Sequence, residues 1–92
     1  MLQMKSNHYS NYKLTLYREV NNKIRYYTLK LYPTLFGEFL LVKEFGSTQN
    51  KKPTRIRKEY FSHLDESIVV IENFINVKMK KGYFQITNTK DI

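Results

Sequence analysis

Residues 35–47, Leu35-Phe36-Gly37-Glu38-Phe39-Leu40-Leu41-Val42-Lys43-Glu44-Phe45-Gly46-Ser47, constrain this chain most. They read as a turn at Phe36-Gly37, a strand over Glu38 to Phe45, and a sharp stop at Gly46. Aliphatic and aromatic residues fill the strand with few breaks, as in the middle of a sheet. The two-residue period puts Phe39, Leu41, Lys43 and Phe45 on one face and Leu40, Val42 and Glu44 on the other. A glycine beside Phe45 lets a second backbone, or a ligand, come close to the ring.

The rest of the chain supplies partners for that strand. Residues 1–11 are polar, without periodicity, and read as an arm carrying Lys5 and His8. Tyr12, Leu14 and Leu16 alternate as one face of a first strand. Asn21-Asn22 is a hairpin signal, because asparagine tolerates positive φ. Lys23 to Tyr32 forms the second strand, with Tyr27, Leu29 and Leu31 inward, and Pro33 ends it. After a polar loop, Arg55 to Phe61 makes a fourth strand that sets Arg55, Arg57 and Glu59 against Ile56, Lys58 and Tyr60. A helix follows from Leu64 to Lys81, capped by Ser62 or Asp65, with Leu64, Ile68, Ile71, Phe74, Ile75 and Lys78 on one stripe and Val70 and Val77 beside it. Lys78, Lys80 and Lys81 suit its negative end, and Gly82 suits the C′ position. Tyr83-Phe84 folds back on the core, and 85–92 is a short polar tail.

This order predicts an α+β fold: a small antiparallel sheet of about four strands packed by one main C-terminal helix. Residues 12–84 make one domain. A chain of 92 residues with 41% hydrophobic and 15% aromatic content can build one modest core.

Charge and composition narrow the function. Sixteen Lys and Arg against eight Asp and Glu give a net charge of +8, a field that favours polyanions. Charge of about this size also serves solubility alone. The chain has no cysteine, which removes disulfides and thiolate chemistry and fits a reducing cytoplasm. No apolar run approaches the roughly 18–20 residues of a membrane span, and none near the start resembles a secretory leader. Nor is there a basic amphipathic helix with a wide apolar face for a membrane surface.

Catalysis finds no support. His8 and His63 stand apart, with no zinc-ligand spacing. Gly37, Gly46 and Gly82 are too scattered for a phosphate-cradling loop, and no carboxylates pair as acid and base. The expectation is a non-enzymatic protein without metal or cofactor.

The basic stretch carries the binding hypothesis. Lys43, Lys51, Lys52, Arg55, Arg57 and Lys58 lie between positions 43 and 58 against Glu44 alone. Loop lysines can swing onto phosphates, and two arginines two residues apart on a strand can fork onto phosphate oxygens. Phe45 and Tyr60 flank the loop, and an open ring stacks on a base or sugar. The plainer alternative makes Phe45 and Tyr60 core and the lysines a solvated loop. For Lys78, Lys80 and Lys81, complementing the helix dipole is the plainer account of what could also be a second phosphate contact. Lys23, Arg25 and Lys30 extend the patch if their face is open.

These residues also resemble a family. The stretch ending in Phe45-Gly46-Ser47 is similar to the signature strand of the WGR domain, named for a Trp-Gly-Arg tripeptide at that place. Tyr27-Thr28-Leu29-Lys30-Leu31 resembles the strand before it. Leu35-Phe36-Gly37 with Phe39 resembles the turn of bacterial members. Lys78-Met79-Lys80-Lys81-Gly82-Tyr83 resembles their Lys-rich end. The resemblance runs from about Lys23 to Tyr83 and implies a small sheet packed by one main helix. In poly(ADP-ribose) polymerases such domains grip DNA near a strand end, the Trp stacking on a terminal sugar and the Arg holding the backbone. By position, Phe45 takes the first role and Ser47 the second. Phenylalanine keeps a stacking face without the indole N–H, and serine offers no guanidinium fork. Lys43, Arg55 or Arg57 then stand in for the missing arginine. No transferase domain fits in the chain.

The resulting expectation is a stand-alone bacterial-type module for nucleic acid, DNA ahead of RNA. Its binding residues are Lys43, Phe45, Gly46, Ser47, Lys51, Lys52, Arg55, Arg57 and Lys58. The alternative is a protein-interaction or regulatory module that has lost the strand-end grip. Oligomeric state is open at this level.

Overall fold

Two asparagines set the first hairpin. In the structure, a computed structural model that describes residues 12–85, Asn21 and Asn22 have φ of 54° and 69°. Positive φ at both central residues is the two-residue turn that matches strand twist. It joins β1 (Tyr12–Val20) to β2 (Lys23–Pro33). Counting outward from the Val20–Lys23 pair sets Arg18 opposite Arg25, Leu16 opposite Tyr27, Leu14 opposite Leu29 and Tyr12 opposite Leu31. The expected arm at residues 1–11 lies outside the described residues.

A second turn, at Thr34–Glu38, feeds β3 (Phe39–Ser47). The Thr34 hydroxyl accepts the Phe36 and Glu38 N–H groups, each at 3.2 Å. Gly37 supplies the left-handed φ of +81°. The tip residues Leu35 and Phe36 are 98% and 88% exposed. β3 lies between β2 and β4 (Arg55–Phe61), and all neighbours are antiparallel.

The expected stop at Gly46 is corrected: Gly46 pairs with Tyr26 and Ser47 with Arg25, so the strand runs past the glycine. Gly46 is there for the returning chain. A Cβ on it would stand 2.8 Å from the Thr54 backbone nitrogen, and the Thr54 N–H donates to the Phe45 carbonyl at 2.9 Å. The close approach foreseen at this glycine is made by the protein's own backbone.

The helix, α1 (Leu64–Lys80), begins at His63, whose side chain makes no capping bond. That corrects the expectation of Ser62 or Asp65 as cap; Asp65 and Glu66 sit in the first turn, near the positive end of the dipole. At the other end the Tyr83 N–H bonds the Lys78 carbonyl and the Gly82 N–H bonds the Met79 carbonyl, both at 3.0 Å, with Gly82 at φ +100°. This paired arrangement is the Schellman stop that Gly82 promises.

Two residues beyond it make β5 (Phe84–Gln85) on the free edge of β1. The sheet order is therefore β4-β3-β2-β1-β5. Gln85, expected to open the tail, pairs with Leu16 instead. Because α1 starts just after β4 and is followed by a strand on β1, it crosses the sheet diagonally.

Leu29, Leu31 and Leu41 of the sheet and Ile71 of α1 form the buried centre, ringed by Leu14, Phe39, Phe61, Leu64, Val70, Phe74 and Ile75. Each such aliphatic side chain contributes about 1.5–3 kcal/mol by leaving water. Ile68, on the expected stripe, is 40% exposed, and Val77 is exposed as well. Ile68 borders an apolar hollow of about 440 Å³ between Tyr12, Leu31 and the helix. Among the described residues no helix is long and apolar enough to cross a membrane.

Candidate nucleic-acid interface

The diagonal helix leaves one corner of its own side of the sheet open, where β3 ends and β4 begins. Register decides what stands there. Lys43 is opposite Arg57, Phe45 is opposite Arg55 on one side and Tyr27 on the other, and Ser47 is opposite Arg25. By alternation all of these share the face of Leu29, Leu31 and Leu41. Thus Lys43, Phe45, Ser47, Arg55 and Arg57, chosen from the sequence, are brought together, and Arg25 joins them.

Phe45 is half-buried and is the outermost ring of a cluster. Its centroid lies 4.8 Å from that of Tyr27, the planes tilted by 41°. Tyr27 in turn meets Phe74 at 5.2 Å and Tyr83 at 5.1 Å, both edge-on. Phe45 thus packs on Tyr27 at the margin of the core and is neither fully buried nor exposed.

The cations differ in freedom. Lys43 is held by Glu59 at 3.9 Å and lies 5.3 Å from the Phe74 ring centre. Lys78 reaches in from α1 to the Tyr27 hydroxyl at 3.1 Å. Arg55 and Arg57 are exposed and, among the described residues, have no carboxylate partner within ion-pair distance. Among Arg25, Lys43, Arg55, Arg57 and Lys78, Lys43 alone has an ion-pair partner among the described residues, and that partner is Glu59.

The Ser47 hydroxyl accepts the Gln49 N–H at 3.3 Å, so it starts the loop turn. Gly46 is buried beneath Pro53-Thr54. Lys51 and Lys52 are exposed on the loop. Lys58 pairs across from Val42 and therefore faces the opposite side of the sheet. Of the possible extensions, Arg25 and Lys23 share the helix side by alternation. Lys30 does not: it lies on the far face in an ion pair with Glu44 at 3.1 Å.

Arg18 was not visible as a candidate. The signal was present in the Asn21-Asn22 turn, since counting back from it pairs Arg18 with Arg25. Its guanidinium stands 5.9 Å from the Tyr83 ring centre, at the end of α1. Among the described residues no group of three or more His, Cys, Asp or Glu side chains could hold a metal ion.

Fold and site together define a small α+β module with one basic corner built around Phe45. Comparison of the chain with protein-family models, with curated proteins and with solved structures returns no match.

Proposed function

We propose that this chain is a non-enzymatic nucleic-acid-binding module of WGR type, acting on DNA ahead of RNA. The observation that carries the reading is the corner itself. Arg25, Arg55 and Arg57 stand beside a half-buried Phe45 where the diagonal of α1 leads away from the end of β3. Arginines there hold phosphate oxygens, and the Phe45 ring stacks on a terminal sugar or base. Arg25 is opposite Ser47, so it supplies a guanidinium next to the position where the family's arginine would stand. The loop lysines Lys51 and Lys52 add charge that steers encounter. Such means give salt-sensitive binding with little sequence preference. A cytoplasmic setting goes with this reading, as does the lack of cysteine.

The test is fluorescence anisotropy with blunt duplex, nicked duplex, single strand and RNA of equal length at low and near-physiological salt. Preference for a strand end, weakened by Phe45→Ala, is the expected result. Equal weak binding to every polyanion, indifferent to Phe45, would sink the strand-end role.

One observation favours a second reading, a protein-interaction module. Leu35 and Phe36 project almost fully exposed from a turn pinned by the Thr34 hydroxyl. Two apolar side chains on a rigid tip suit a pocket on a protein partner. Capture of a partner that is lost on Phe36→Asp, with no nucleic-acid binding, would favour this reading.

A further inference from the structure

We propose that the sheet face opposite the helix is a second nucleic-acid surface, shaped for a single strand. Lys58 prompts the question, because register removes it from the basic corner and sets it on that face.

Two parallel rows cross the face. In one, Tyr60, Leu40 and Tyr32 are cross-strand neighbours on β4, β3 and β2. In the next, Lys58, Val42, Lys30 and Lys13 are neighbours on β4, β3, β2 and β1. Strand spacing puts the two tyrosines about 10 Å apart and spreads the lysine row over about 14 Å. The rows are two residues apart along each strand, or about 7 Å. An aromatic bar beside a parallel cationic bar is what a single strand requires, with bases on the rings and phosphates on the ammonium groups. Sheet faces bearing two or three rings hold splayed bases in just this manner.

The face is not what solvent alone would select. A solvated sheet face ordinarily carries polar side chains. Here Tyr60 is 59% exposed and Tyr32 is 37% exposed, and Ile56 is exposed on the far side of the lysine row. No described element covers this side. Glu44 is neutralised by Lys30 at 3.1 Å, which leaves Lys58 and Lys13 as the cations of the row without an ion-pair partner among the described residues. The surface is also continuous with the basic corner. β4 is the sheet's edge strand. It presents Arg55 and Arg57 on one side and Lys58 and Tyr60 on the other. A hollow at that edge is lined by Lys43, Arg57, Lys58 and Glu59. A strand leaving a duplex at the corner can therefore pass over the β4 edge onto the tyrosine row.

The test compares a labelled oligothymidylate with a blunt duplex. The open-face variant is Tyr32→Ala with Tyr60→Ala; the corner variant is Arg55→Glu with Arg57→Glu. Far-UV circular dichroism checks the fold of each. The expected result is a loss of at least about tenfold in single-strand affinity for the open-face variant, with duplex affinity within about twofold of wild type. The corner variant should lose mainly the duplex. Tyr60→Leu, which keeps an apolar side chain without a ring, should also lose single-strand affinity. Unchanged single-strand binding by the double tyrosine variant, or full retention by Tyr60→Leu, would overturn the proposal. So would equal losses on both ligands. Single-strand binding lost only with the tyrosines, in a protein that never binds duplex, would uphold this surface while removing the corner's role.

Discussion

The Lys78 ammonium donates a hydrogen bond to the Tyr27 phenol at 3.1 Å and lies 4.4 Å from the centre of the same ring. One helix cation thereby fastens α1 to β2 at the inner margin of the basic corner. It also stands 5.4 Å from the Phe74 ring centre, which places it among aromatic faces rather than in open water. A half-buried cation over rings contributes about 1–2 kcal/mol.

Lys78→Met keeps the stem and removes the charge. It should lower stability by about 1 kcal/mol, and Tm by about 4–8 °C for a domain of this size. Duplex affinity should change little, because the ammonium is already engaged. A large drop in affinity with unchanged Tm would instead make Lys78 a phosphate contact. Thermal unfolding and anisotropy on one preparation separate the two.

Gly46 and Gly37 should respond differently to alanine. At Gly46 the added Cβ would meet the Thr54 backbone nitrogen at 2.8 Å, and backbone cannot swing aside. Gly46→Ala should cost about 1–3 kcal/mol, as overpacking does. It should also weaken duplex binding by shifting the start of β4, where Arg55 stands. At Gly37 the space is empty, and the strain comes only from the φ of +81°. Gly37→Ala should cost about 1 kcal/mol and leave binding unchanged. Urea unfolding of both variants beside duplex titrations checks the contrast.

The sequence exposes the sheet well because its register follows from one turn. Asn21-Asn22 fixes the first pairing, and alternation then assigns every side chain of β1 and β2 to a face. The same alternation separates Lys58 from Arg57, yet closeness in sequence groups them into one site. Neighbours along a strand point apart, so a run of cations there makes two surfaces. Gly46 shows a different limit. A glycine that ends a strand and one that lies under a returning loop look alike until the loop's path is known. β5 has two residues, too few for any period to show. The open corner depends on the diagonal of α1, which follows from where β5 docks.

Stability should fall in alkali through two groups whose pKa the fold raises. Burial, and then the Glu72 carboxylate, push the Tyr12 phenol pKa above its ordinary value. The hydrogen bond to Glu44 raises the Lys30 ammonium, with the Glu44 charge adding to it against the opposing effect of burial. Both folded pKa values lie above the unfolded ones. Their contributions are therefore complete below the unfolded pKa and are lost as pH rises through the folded value. The loss should begin near pH 10. Tyr12→Phe and Lys30→Met should each flatten the decline of Tm with pH in that region. A decline as steep as wild type in both variants would show that other groups drive it.

Salt dependence tests the corner more sharply than affinity does. Each phosphate neutralised by a protein cation contributes about −0.9 to the slope of log K against log salt on duplex DNA. Arg55 and Arg57 are exposed, leave the same strand face, and have no carboxylate partner among the described residues. Arg55→Gln and Arg57→Gln should therefore each reduce the slope by about 1, and the double variant by about 2. Phe45→Ala should act otherwise: a stacked ring contributes about 1–3 kcal/mol without releasing a counterion. It should lower affinity at every salt concentration and leave the slope unchanged. Lys51→Gln and Lys52→Gln, on a mobile-ended side chain in the loop, should lower the association rate more than the slope. If the arginine variants keep the wild-type slope, those side chains do not touch phosphate, and the corner is only a solvated basic surface.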